Sequence, residues 1–350
     1  MKKTKVAVLG ATGMVGQRFL ALLENNPYFE VSALCASERS AGKEYREAVS
    51  GRWAVEGEIP EKFAEMPVEK CEPGIDAEIV FGALDSSIAE PIEQAFAKEG
   101  YAVSSNTRCH RMCEDIPLVI PEVNAGHLEI IEEQKKNRKW GGFIVTNPNC
   151  STIAMVLGLH PLQKAFGLEK ISVTTMQALS GAGYPGVSSL DILDNVIPHI
   201  GGEEGKMESE PLKIWGELKG GKFENADMKI SAHCNRVNVK DGHLETISLS
   251  LKKKASLDEV KKALKEFRAE PQELNLPSAP KQPVILMEEE NRPQPRLDRM
   301  LEKGMASVVG RIREDKIFDY KMLILGHNTI RGAAGCAILN AELLKAKKYI

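Results

Sequence analysis

The chain has 350 residues, 43% hydrophobic and 27% charged, a balance that suits about two folded domains and excludes disordered, collagen-like and membrane-embedded polypeptides. With 46 Lys and Arg against 49 Asp and Glu, the net charge is −3, so the basic excess of a nucleic-acid binder is missing and small-molecule chemistry is the expectation. Seven scattered cysteines, at 35, 71, 109, 113, 150, 234 and 336, read as thiols of a reducing compartment rather than as a disulfide framework.

Met1-Lys2-Lys3 runs directly into the apolar stretch Val6-Ala7-Val8-Leu9, which is too short for a signal-peptide core. No apolar run approaches the ~20 residues of a spanning helix, so a cytoplasmic location with no membrane partner is expected. Lys5 to Leu9, Val31 to Cys35, Glu78 to Gly82, Tyr101 to Ser104 and Phe143 to Thr146 read as strands alternating with helices. That rhythm predicts an α/β fold over residues 1–150, a Rossmann-like doubly wound parallel sheet.

Between the first strand and a helix over Gln17 to Glu24 lies Gly10-Ala-Thr-Gly13-Met-Val-Gly16. Glycines in this setting allow a tight turn and close approach to a pyrophosphate, whose charge then meets the amides and positive end of the helix. Gly10, Thr12, Gly13, Met14, Val15 and Gly16 are therefore candidate cofactor contacts, although G-x-x-G-x-x-G departs from the usual G-x-G-x-x-G. The second strand ends Cys35-Ala-Ser37-Glu38-Arg39-Ser40. An NAD site would set an acid on the ribose 2′-hydroxyl there; Ser37, Arg39 and Ser40, with Lys43, instead suit a 2′-phosphate, and Glu38 falls one residue late. NADP is the expected cofactor, the plainer reading of Arg39 and Lys43 being solvated loop charges.

Asn147-Pro-Asn149-Cys150-Ser-Thr follows a strand and opens an apolar-periodic helix from about Ser151 to Ala165. Asn149 is placed to cap it. Cys150 then sits in the first turn, where thiol pKa values fall from about 8.5 to ~3.5–7.5, and a thiolate nucleophile is predicted. The commoner fate of a cysteine is a small buried hydrophobe.

Beyond Cys150, strands at Ile171 to Ala178, Arg236 to Val239, Leu244 to Leu251, Val284 to Met287 and Ala306 to Leu325 point to an α+β second domain over 151–328 with a mostly antiparallel sheet. Ile200 to Lys222 and Pro271 to Pro283 read as exposed connections, and Ser256-Leu-Asp-Glu259 as a capping box. Lys240-Asp-Gly-His243 reads as a tight turn that sets Arg236 and His243 at one end of a sheet. From Thr329 a long helix with small residues is expected to return to the first domain as its segment 329–350. Cys109-His110-x-x-Cys113 lacks the second half of a zinc site, so no metal is expected.

Gly10 to Gly16, Ala83 to Ser87, Ser105 to Met112, Asn147 to Thr152, Gln177 to Gly183 and Cys234-Asn-Arg236 through Gly242-His243 occur in order over nearly the whole chain. Together they resemble the aspartate-β-semialdehyde dehydrogenase family, and Asn-Pro-Asn-Cys-Ser-Thr with the tail His327 to Gly335 is similar to its archaeal and fungal branch. The resemblance implies NADPH-dependent reduction of L-aspartyl-4-phosphate to L-aspartate-4-semialdehyde and phosphate. It implies Cys150 as nucleophile forming a thioester, His243 as proton shuttle and Gln177 orienting the substrate; helix-start amides would serve as oxyanion donors. It also implies Arg236 on the α-carboxylate, Glu210 on the ammonium, and Arg111 on the phosphate with Lys213 and Asn124 in support. Glu203, Glu204 and Glu208 lie close to Glu210, and Arg108 rivals Arg111. Ser86, Ser180, Gly181, Gly183 and Asn328 match further cofactor contacts, and a homodimer or homotetramer built through the second domain is implied.

Alternatives exist. A malonyl-CoA reductase type of acyl-CoA reductase could use the same Cys150, His243 and Arg236 with NADP, but Glu210 and the cations for a small phosphate favour the aspartyl substrate. An N-acetyl-glutamyl-phosphate reductase would carry an aromatic residue where this chain has Ser151. A thiol hydrolase leaves the glycine loop unexplained, and a non-catalytic NADP sensor leaves the cysteine idle.

Overall fold

A computed structural model describes residues 2–350. Six strands form the first sheet: β1 (Thr4–Leu9), β2 (Phe29–Ala36), β3 (Val68–Lys70), β4 (Ile79–Gly82), β5 (Ala102–Ser105) and β6 (Phe143–Thr146). All are parallel, in the order β3-β2-β1-β4-β5-β6. The order reverses at β1, so the crevice beyond the carboxyl ends of β1 and β4 is the switch point at which such sheets take ligands. Period-two alternation splits each strand between two cores. Val6 and Val8 pack with Phe19, Leu20 and Leu23 of α1 (Met14–Leu23), whereas Ala7 and Leu9 pack with Phe96 and Ala97 of α2 (Ser86–Lys98). Edge strand β3 was not expected: its sequence Val-Glu-Lys buries one side chain and gives no periodicity.

Next, α3 (Cys150–Phe166) leads into β7 (Leu168–Gln177). There follow α4 (Glu203–Ile214), the hairpin β8 (Glu217–Lys219) and β9 (Lys222–Glu224), β10 (Lys229–Arg236), β11 (His243–Leu251), α5 (Leu257–Glu266), β12 (Val284–Met287), β13 (Ser307–Glu314) and β14 (Tyr320–Gly326). The second sheet has the order β10-β7-β11-β14-β13-β12, antiparallel in its three central pairings and parallel in the two outer ones, so it is mixed. Ile153, Val156 and Leu157 of α3 and Val260 and Leu264 of α5 cover one face with Val173, Ile247, Leu249 and Ile324. The capping box is formed: Glu259 N–H donates to Ser256 Oγ (3.3 Å) and Ser256 N–H to Glu259 Oε2 (2.7 Å).

Four local expectations are corrected. The strand placed at Arg236 to Val239 is Lys229–Arg236, an edge strand whose buried face carries only Ala232, Cys234 and Arg236. Ile200 to Lys222 is no exposed connection, because α4 lies in it with Met207, Glu210 and Ile214 buried. Pro271 to Pro283 is a strap whose Leu276 enters the first-sheet core and whose Ser278 N–H donates to Glu342 Oε2 (2.8 Å). The tail is not one helix: a π-helical turn, Ile330–Ala334, precedes α6 (Gly335–Ala346).

Helix α6 packs Ala337, Ile338, Leu339 and Leu343 into the core shared with α1. Ser104 Oγ donates to Ala337 O (3.2 Å) and Asn26 Nδ2 to Glu342 Oε1 (2.9 Å). At the π turn, the fully buried Arg331 guanidinium forms a two-pronged pair with Glu122, one bond being Nη1 to Oε1 at 2.8 Å. Gly332 lies against Cys150, where a Cβ would come within 2.7 Å of the cysteine Cβ. Among the described residues, no helix is long and apolar enough to cross a membrane and no metal-ligand cluster forms.

Candidate active site

Helix α3 starts at a capped junction. Asn149 Oδ1 accepts from Ser151 N–H (3.0 Å) and Thr152 N–H (3.3 Å), as expected of an N-cap. The same bonds narrow the helix-start oxyanion donors expected, since the Ser151 and Thr152 amides are committed to the cap and the Cys150 N–H has no partner among the described residues. Cys150 Sγ, half-buried, lies 3.2 Å from Nε2 of the fully buried His243, whose Nδ1 accepts from Ala178 N–H at 2.9 Å. Burial pushes the Cys150 thiol up to about 12, with Glu203 adding to it and Arg111, Arg236 and Lys206 opposing. Burial, then Arg236, pushes His243 down to about 3. Both shifts favour an uncharged pair, a thiol beside a neutral imidazole, over the thiolate anticipated, because burial penalises the charged forms.

Gln177 ends β7, Arg236 ends β10 and His243 begins β11; the register Arg236↔Gln177 and Leu244↔Met176 sets all three at one end of the sheet. The link from β10 to β11 is not the tight turn expected, since β7 lies between these strands and the chain must cross its end. Val237 N–H donates to Gln177 O (3.0 Å) and Leu179 N–H to Val239 O (2.7 Å) along that crossing. Gly242 N–H donates to Asn328 Oδ1 (2.8 Å), while Asn328 Nδ2 donates to Ser180 Oγ (2.7 Å). These two bonds brace the 180–183 turn and leave one lone pair on Oδ1 and one hydrogen on Nδ2 at the cavity wall.

A cavity of about 350 Å³ opens where the two sheets meet. Met14, Val15, Ser86, Arg111, Cys150, Gln177, Ser180, Gly181, Gly183, Arg236 and Asn328, all anticipated, line it together with Arg108, Glu203 and Lys206. Glu203 is its acidic hub: Oε2 accepts from Asn149 Nδ2 (2.8 Å) and Gln177 Nε2 (3.2 Å), and Oε1 from Lys206 Nζ (2.6 Å). Burial alone would raise the Glu203 carboxyl, but Lys206 and these hydrogen bonds outweigh it and hold it below its ordinary value. Arg111 gives Nη1 to Glu210 Oε1 (2.9 Å) and Nη2 to Asn106 O (2.8 Å), and its Nε has no partner among the described residues.

Three substrate residues named from the sequence lie elsewhere. Glu210 is buried between Arg111 and the Asn149 N–H (2.7 Å) and is not among the residues that line the cavity. Lys213 Nζ donates to the carbonyls of Arg111, Cys113 and Ile116, each at 2.7 Å, which exhausts its three hydrogens; burial lowers its pKa to about 8. Asn124 closes its own turn, accepting from Ile120 N–H (2.9 Å) and donating to Leu118 O (2.8 Å).

The glycine loop fits a dinucleotide. Gly10 has φ +82°, and a Cβ on it would lie 2.4 Å from Ala83 O; one on Gly16 would lie 2.2 Å from Gly10 O. Gly13 is the N-cap of α1 with no side chain capping the first turn, so the Met14 and Val15 ends of the helix face the cavity uncovered. Beyond β2, Ser37 and Arg39 are exposed, whereas Ser40 is buried with its N–H on Ser37 O (2.9 Å). Glu38 turns to Lys70, 3.6 Å away.

Known proteins share this arrangement. Residues 5–131 match the family described as semialdehyde dehydrogenase, NAD binding domain, and residues 159–331 match semialdehyde dehydrogenase, dimerisation domain. The aspartate-semialdehyde dehydrogenase of Archaeoglobus fulgidus is 52% identical over 346 residues, covering 99% of each chain. That of Methanothermobacter thermautotrophicus is 51% identical, covering 97% of this chain and 98% of its own. A crystal structure of aspartate semialdehyde dehydrogenase with NADP from Candida albicans superposes with a TM-score of 0.92 at 44% identity, covering all of both chains. The chain therefore belongs to the aspartate-semialdehyde dehydrogenase family.

Proposed function

We propose that this chain catalyses the NADPH-dependent conversion of L-aspartyl-4-phosphate into L-aspartate-4-semialdehyde and phosphate through a thioester on Cys150. The observation that carries the reading is the 3.2 Å approach of Cys150 Sγ to His243 Nε2 at the wall of a cavity shared by the glycine loop, Arg236 and Glu203. Sγ attacks the acyl carbonyl, phosphate departs, and the acyl group stays on sulfur until the aldehyde is released. His243 holds a hydrogen at the reacting sulfur, and Gln177 and Asn149 fix Glu203 beside it. NADPH, when bound, supplies the hydride. Residues Gly10 to Gly16 and Ser180 to Gly183 would hold its pyrophosphate and nicotinamide ends, with Ser37 and Arg39 on the 2′-phosphate.

For the substrate, Arg236 keeps one prong on Ala178 O (2.7 Å) and offers the rest of its fork to the α-carboxylate. Glu203 takes the ammonium in place of Glu210, and Arg108, Arg111 and Lys206 supply the phosphate clamp. Residues 1–150 with 329–350 would act as the cofactor-binding domain and 151–328 as the catalytic one. The other face of the second sheet leaves Thr174, Met176, Leu244, Thr246 and Ser248 half-buried or exposed, a surface for a homo-oligomer. The test is NADPH absorbance on mixing with aspartyl phosphate, or the reverse reaction from semialdehyde, NADP and phosphate. Turnover in both directions is expected; no change with the aspartyl substrate and turnover with malonyl-CoA would overturn the reading.

A further inference from the structure

His243 is held by a donor that cannot reverse its role. The Ala178 N–H lies 2.9 Å from Nδ1, and a peptide N–H gives a hydrogen and never accepts one. Nδ1 must present its lone pair, and a neutral imidazole with a bare Nδ1 carries its hydrogen on Nε2. Nε2 is the atom that faces Cys150 Sγ at 3.2 Å. Turning the ring by half a rotation would put carbon at both contacts and lose both. The Gly181 backbone packs over the same edge, where a Cβ would come within 3.0 Å of Cε1 and 3.2 Å of Nε2.

We propose that the Ala178 peptide N–H is the positioning group that fixes His243 as its Nε2–H tautomer, so that in the resting enzyme His243 donates a hydrogen bond to Cys150 and is not the base that removes its proton. This deepens the reading of the Cys150–His243 pair given above and rests on it. The proton balance is closed by solvent: the S–H bond of Cys150 breaks, water takes the proton as hydronium, and the electron pair stays on sulfur. A second proton on the ring would sever the Ala178 bond. Arg236 and His327 also disfavour a cation there, against Glu203 and Asp241, which favour one. The thiolate is steadied instead by Nε2–H, Arg236, Arg111 and Lys206. The same Nε2–H is a donor for the oxyanion beside the helix-start N–H of Cys150, the Ser151 and Thr152 amides being taken by Asn149.

The test needs no substrate, so its outcome is separate from that of the aspartyl-phosphate assay. In ¹⁵N-histidine NMR of the full chain, with His243→Gln assigning the signals, Nδ1 is expected unprotonated and Nε2 protonated from pH 6 to 8. A bare Nε2, or both nitrogens protonated, overturns the proposal. Iodoacetamide labelling of the Cys150 peptide, followed by mass spectrometry, gives a second readout. Gln can donate as Nε2–H does but cannot take a proton, so His243→Gln should label within about threefold of the wild type while His243→Ala slows about tenfold or more. Variants that behave alike overturn it.

Discussion

At Cys150 the demands of chemistry and of burial are opposed, since the sulfur must ionise to attack and its surroundings hold the proton on. Replacing it by Ser should cut turnover on the order of 10³-fold or more, with NADP affinity by fluorescence titration unchanged; near-normal turnover would exclude a covalent route. In the proposed reading Glu203 contributes to both sides of that opposition, because its charge raises the thiol while its carboxylate would take the substrate ammonium. Glu203→Gln should therefore label faster with iodoacetamide at pH 8 and yet show a KM for aspartyl phosphate about tenfold higher. A slower thiol in that variant would contradict the electrostatic assignment. Why the sequence led to Glu210 is visible in the spacing. Glu203-x-x-Lys206 and Glu210-x-x-Lys213 lie seven residues apart, which on α4 is two turns: the same face, shifted by ~10 Å along the axis. Pattern alone cannot say which end of a helix reaches a cavity, and only the packing of α4 on α3 and β10 decides it.

Among the elements, the π turn bears most directly on the nucleophile. Its Arg331 is fully buried and balanced by Glu122, while its Gly332 leaves just enough space beside Cys150. Breaking a buried ion pair from one side leaves an uncompensated charge, so Glu122→Gln should lower stability by about 3–5 kcal/mol, read from the midpoint of chemical denaturation. An unmoved midpoint would show that the pair carries no such weight. Nothing in the sequence marked this turn, whose Gly-Ala-Ala-Gly run reads as ordinary close-packing helix. Strands buried on both faces, such as Ile79–Gly82, were legible because every residue is apolar or small. Lys229–Arg236 was not, since an edge strand alternates with exposed Lys229, Ser231 and His233 and the neighbouring Val237 and Val239 gave the stronger apolar signal.

Across the whole molecule, the half-buried His160 and the buried His327 set an acid limit. Burial lowers His160 and His327 to about 4, with Lys164 adding to the first and Arg18 to the second. A histidine depressed in the folded state gives stability that is complete above its unfolded value near 6.5 and is lost as the pH falls below it. For His160 the loss by pH 4 is on the order of 3 kcal/mol, so His160→Gln should show a smaller drop in Tm between pH 7.5 and 4.5 than the wild type. Equal drops would remove His160 from the account. The two-part architecture and the alternation of strands and helices in the first half were readable from periodicity; the mixed pairing of the second sheet was not, since strand direction depends on connections that carry no local signal. Helix α6 lends the molecule a dependence on time. About 190 residues separate the end of β6 from the start of α6, so at roughly 5–20 residues per second the ribosome delivers the covering helix some 10–40 s after the sheet it shields. Until that helix emerges, the nascent first half exposes the apolar flank that Ala337, Ile338, Leu339 and Leu343 later cover. Because the turn that abuts the nucleophile arrives on that same late segment, the surroundings of Cys150 stay incomplete until residues 330–334 have been made.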